Sequence, residues 1–120
     1  MSILAMILIA LIAALHFYIA WFEMFAWETR GPKVFTSFPA DLFAPTKAMA
    51  ANQGLYNGFL AAGLLWSLFI GDDAWQRAVA IFFVLCVAIA GAYGAATVSK
   101  RIFYVQTVPA VIALLLIVIF

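Results

Sequence analysis

Charge is the scarcest thing in this chain. Six Lys and Arg and five Asp and Glu are spread over 120 residues, and residues 2–22, 48–71, 78–99 and 102–120 carry no formal charge. A soluble domain, with about a quarter of its residues charged, is thereby excluded. Six scattered cations and a net charge of +1 also exclude nucleic acid as a partner, because phosphate binding needs a clustered basic surface. Cysteine is nearly absent. Cys86 stands alone inside an apolar run, so there is neither an intrachain disulfide nor a CxxC pair, and the expectation is a buried, inert thiol. No cofactor is implied, and one His with one Glu seven residues away falls short of metal-ligand spacing.

What remains is hydrocarbon, at 69% hydrophobic residues. Each of the four uncharged runs is long enough for a helix to cross about 30 Å of bilayer core. The expected fold is all-α, a polytopic membrane protein built as an up-down antiparallel four-helix transmembrane bundle. It forms one domain over 1–120, with spans at about 2–27, 46–70, 75–98 and 102–120. The first run has no basic n-region and is too long for a signal sequence, so it is expected to stay attached. Gly31 and Pro32 are expected to end the first helix, and Pro32, Pro39 and Pro45 with Phe35, Phe38 and Phe43 predict an irregular interfacial loop over 28–45. Pro109 predicts a bend in the last helix. Ala61, Ala62, Gly63, Gly91, Gly94 and Ala95 mark where helices approach most closely.

Arg30, Lys33 and Lys47 flank the first connection and Lys100 and Arg101 the third, whereas the second holds only Arg77 beside Asp72 and Asp73. Excess Lys and Arg marks the cytoplasmic side, so both termini are expected outside a cell membrane. That orientation sorts the polar side chains by depth. His16 falls near the midplane, and Glu23, Asn52, Gln53, Tyr56, Asn57, Tyr93, Thr97, Tyr104 and Gln106 fall in the cytoplasmic half. Residues 3–15 and 108–120 contain no side chain able to make an ordinary hydrogen bond. The asymmetry predicts a blind polar pocket open to the inner leaflet, not a conduit through the membrane.

His16, Ala20, Glu23 and Trp27 return to one helical face, with His16 and Glu23 about 10 Å apart along the axis. An ionisable group within a span is a functional candidate because inserting it is costly. Each candidate also has a plainer role. Glu23 could pair with Arg30 or Lys33 at the interface, and His16 could be a neutral interhelical hydrogen bonder. Asn52, Gln53 and Asn57 could hold helices together, and the tyrosines could anchor the interface.

The segments EMFAWETRGPKVF at 23–35 and PTKAMAANQGLYNGFLAAGL at 45–64 resemble the family catalogued as domain of unknown function 1304. The resemblance implies a small four-span membrane protein and carries no catalytic role. The first functional expectation is binding of a small amphipathic molecule or membrane lipid, with Glu23, Asn52, Gln53, Tyr56, Asn57 and Tyr93 as ligand-binding residues. One alternative is an intramembrane enzyme in which His16 and Glu23, the catalytic candidates, move protons. The other is a small proton-coupled exporter acting as a homo-oligomer, a dimer, with Glu23 as the exchanged site.

Overall fold

A computed structural model describes all 120 residues. Its regular structure is entirely helical: α1 (Ile3–Phe25), α2 (Trp27–Val34), α3 (Lys47–Leu68), α4 (Asp73–Thr97) and α5 (Lys100–Ile119), with a 3-10 turn at Ala40–Leu42. Three of these, α1, α4 and α5, are long and apolar enough to cross a membrane. At 22 residues α3 has the length too, but Asn52, Gln53, Tyr56 and Asn57 make it more polar than the others. The chain divides into two compact units, one formed by Met1–Ala14 with Leu60–Phe120, the other by Leu15–Phe59.

The first unit packs apolar stripes at helical spacing. Ala5, Ile9 and Ile12 of α1 meet Leu64 of α3, Ala80, Val84 and Val87 of α4, and Ala110, Ala113 and Ile117 of α5, all buried. Offsets of three, four and seven residues place each set on one face. The outward faces are equally apolar: Ile3, Leu4, Ile7, Leu11, Phe82, Ile89, Leu115 and Val118 are exposed. Helices that are hydrophobic all round belong in lipid, and the chain is a membrane protein by this measure.

At one end of this unit, Asp73 accepts from the Met1 amino group at 3.3 Å and from Arg77 Nε at 3.2 Å. The Arg77 guanidinium also donates to the carbonyls of Ile117 and Phe120, which have no partner further along α5. The starts of α1 and α4 and the end of α5 therefore lie together. Asp72 caps α4 by accepting from Trp75 N–H at 2.9 Å.

The distortion expected at Pro109 lies one turn earlier. Phe103–Thr107 is π-helical, and the Val108 N–H reaches back to Phe103 O. Proline has no N–H for the carbonyl four residues before it, and its ring crowds that carbonyl, so the preceding turn widens. The widened turn sits against α4, where the Thr107 hydroxyl donates to Ala88 O at 3.0 Å and Gly91 leaves room for the Thr107 side chain. Gly63 faces Phe83 and Gly94 faces Ile102, so three of the six small residues expected at close approaches do sit at them. Cys86 is half-buried instead of fully enclosed.

The second unit departs from expectation at the first connection. α1 stops at Phe25, Ala26 leaves helical geometry at φ −127° and ψ 14°, and helix resumes as α2 straight through Gly31 and Pro32. Local propensity argues against this helix; packing overrides it. Trp27 lies 5.1 to 6.2 Å between ring centroids from Phe43, Phe35, Phe38 and Phe22. The buried Gly31 leaves room for the Phe43 ring, whose Cδ1 would lie 2.7 Å from a Cβ there. The Trp27 indole N–H donates to Thr46 Oγ1 at 3.0 Å, and the Thr46 hydroxyl donates to Leu42 O at 2.7 Å. The segment 28–45, expected as an irregular loop, is thus a short helix and a 3-10 turn packed around Trp27.

Candidate functional site

Within the second unit, the last turns of α1 run against the first turns of α3. Gly54 sets their separation: a Cβ there would lie 2.9 Å from the Ala20 carbonyl oxygen and from Glu23 Cβ, and 2.8 Å from Met24 Cγ. Gly58, one turn on, faces Ala20 at an ordinary 3.7 Å. The pair forms a small-xxx-small motif, the arrangement that lets helix backbones approach in a membrane. In the sequence its one signal is the four-residue spacing of Gly54 and Gly58.

The close approach delivers two amides to one carboxylate. Gln53 Nε2 donates to Glu23 Oε2 at 2.7 Å, and Asn57 Nδ2 donates to Glu23 Oε1 at 2.7 Å. Four residues apart, Gln53 and Asn57 share a face of α3. Glu23 is 8% exposed, and neither Arg30 nor Lys33 pairs with it. The interfacial ion pair considered for this residue is replaced by two neutral donors. Those donors stabilise charge on both oxygens without cancelling it, and each carboxylate oxygen keeps a further lone-pair direction.

The other candidates fall outside this cluster. Asn52 points away and donates to Ala48 O of its own helix at 2.8 Å. Tyr56 is 66% exposed, with its ring edge-on to Phe59 at 5.6 Å. His16 is fully buried on α1. Tyr93 is 71% exposed on α4, in the first unit. Nowhere do three His, Cys, Asp or Glu side chains gather.

Beside the cluster lies a shallow hollow of about 240 Å³ lined by Met24, Phe25, Trp27, Glu28, Thr29 and Lys47. Met24, Phe25 and Trp27 make the apolar part of its wall, and Glu28, Thr29 and Lys47 the polar part. Glu28 and Lys47, both exposed, form a 3.3 Å ion pair at its rim. Neither this hollow nor the Trp27–Thr46 bond is visible in the sequence, since each depends on how α2 folds.

No solved structure matches this chain. It is 30% identical over 117 residues to the uncharacterized protein YpaA of Lactococcus lactis subsp. lactis (strain IL1403), an alignment covering 96% of this chain and 97% of that protein. Residues 10–118, which include Glu23, Gln53, Gly54 and Asn57, match the family described as protein of unknown function (DUF1304), and the chain belongs to that family.

Proposed function

We propose that this is a four-span membrane protein that binds a small amphipathic molecule or lipid in its cytoplasmic half, with Glu23, Gln53 and Asn57 recognising the polar end. For α3 as the fourth span, the support is length and pairing. Its 22 residues reach about 33 Å, and its most deeply placed polar groups are taken up by Glu23 of α1. For orientation with both termini outside, the support is the placement of Arg30, Lys33, Lys47, Lys100 and Arg101 against Arg77 alone.

The observation that carries the binding role is the carboxylate held by two amides and no cation. Because both amides turn their N–H toward Glu23, their carbonyl oxygens face elsewhere as acceptors, and the carboxylate has acceptor capacity left. Such a group calls for a donor-bearing ligand, an amine or hydroxyl head, while Met24, Phe25 and Trp27 offer apolar wall to a chain. Asn52 and Tyr56 supply further polarity on the exposed side of α3.

The test is mass spectrometry of the solvent extract from purified protein. A donor-headed amphiphile is expected with the wild type and absent from Asn57→Leu. An empty wild type, with Asn57→Leu unaltered in stability, refutes the role.

A further inference from the structure

We propose that Arg30, Tyr18 and Trp21 form a second site, distinct from Glu23, that receives the phosphate of an anionic headgroup. Tyr18 and Trp21 stand one turn apart on the exposed side of α1, ring centroids 6.0 Å apart. The Arg30 guanidinium lies 6.0 Å from the Tyr18 ring centroid and 5.9 Å from that of Trp21. In an unbroken helix Arg30 would lie about 13 Å beyond Trp21 along the axis. The break at Ala26 is what brings the cation back over the two rings.

The guanidinium makes no hydrogen bond or ion pair with the protein. The carboxylates nearest in sequence are engaged elsewhere, Glu23 by Gln53 and Asn57, Glu28 by Lys47. The Tyr18 hydroxyl and the Trp21 indole N–H have no hydrogen-bond partner in the protein either. Stacking on aromatic rings fixes the plane of an arginine and leaves its edge free, and that edge matches two oxygens of a phosphate. Arginine and indole are donors only and the tyrosine hydroxyl can donate, so the complementary ligand offers acceptors and negative charge. Lys33, one turn on in α2, is exposed and is not part of this stack. Arg30 follows the end of α1 and so approaches the two rings from the headgroup side, where lipid phosphates lie.

The test compares retention of phosphatidylglycerol and phosphatidylcholine by the full-length protein, using native mass spectrometry from detergent. Phosphatidylglycerol occupancy is expected to fall about tenfold in Arg30→Gln, the size of one lost charge-assisted contact, and phosphatidylcholine occupancy, weaker from the start because choline offsets the phosphate charge, to fall less. Arg30→Lys should lose most of it as well, because an ammonium keeps the charge but not the planar fork; it also serves if Arg30→Gln folds poorly. Lys33→Gln should stay within about twofold of wild type, as expected of an unstacked surface charge. Equal phosphatidylglycerol occupancy in wild type and Arg30→Gln overturns the site. So does a Lys33→Gln loss as large as that of Arg30→Gln, which would mean diffuse surface charge. A parallel titration with inorganic phosphate, read by phosphorus NMR, separates the sources. Displacement of phosphatidylglycerol by phosphate in wild type alone assigns the site to the phosphate group itself; no displacement assigns it to the lipid headgroup.

Discussion

Asn57 reaches across from α3 to place its amide 2.7 Å from Oε1 of Glu23 on α1. Removing the donor alone should leave a buried acceptor unsatisfied, so Asn57→Leu is expected to lower stability by about 1 to 3 kcal/mol. Combining it with Glu23→Leu should recover part of that loss, because two apolar partners leave nothing unpaired. Thermal unfolding of the two single variants and the double variant in detergent measures the coupling. Simple additivity would show that the bond contributes nothing.

Gly54 and Gly58 should respond oppositely to the same change. Gly54→Ala introduces a methyl group 2.9 Å from the Ala20 carbonyl oxygen and must push α1 and α3 apart, with an expected loss of about 1 to 3 kcal/mol. Gly58→Ala meets Ala20 at 3.7 Å, an ordinary contact, and should be neutral or gain up to about 1 kcal/mol from helix propensity. Melting temperatures of the two variants decide it, and equal effects would contradict the geometry.

Trp27→Phe keeps a ring among the surrounding phenylalanines and deletes the indole bond to Thr46. An expected loss of about 1 kcal/mol should be matched by Thr46→Val and should not double when the two are combined. Trp27→Ala removes the ring that segment 28–45 packs around, and protease cleavage within residues 36–41 should then rise well above wild type.

Sidedness can be read with single cysteines in a Cys86→Ser background. Ser37→Cys in the first connection should react with an impermeant maleimide only from the cytoplasmic side, and Gly71→Cys only from the other. Both positions are exposed. Labelling of both from one side would remove the proposed four-span arrangement.

The helical class was legible because uncharged runs of this length have few alternatives, and the motifs at 23–35 and 45–64 pointed to the family whose profile covers residues 10–118. Which polar groups meet was less legible. Asn52 and Gln53 are neighbours in sequence but point about 100° apart on a helix, so only the packing register chooses between the 52/56 and 53/57 pairs. Gly54 against Ala20 makes that choice, through backbone contact that composition does not reveal. Helix α2 was illegible for a related reason. Pro32 and Gly31 argue against helix locally, while the rings that hold it come from residues 22, 35, 38 and 43, too dispersed to register as a motif.

Ala26 forms the whole joint between α1 and α2 in one residue, with the Ala26 N–H bonded back to Phe22 O and the Arg30 N–H bonded to Ala26 O. Nothing is left there to absorb a change in length. One inserted or deleted residue would swing everything downstream by about 100°, turning Trp27 away from Thr46 and Arg30 off its two rings at once. Indels should therefore be far more damaging at this joint than in residues 36–41, beyond the end of α2.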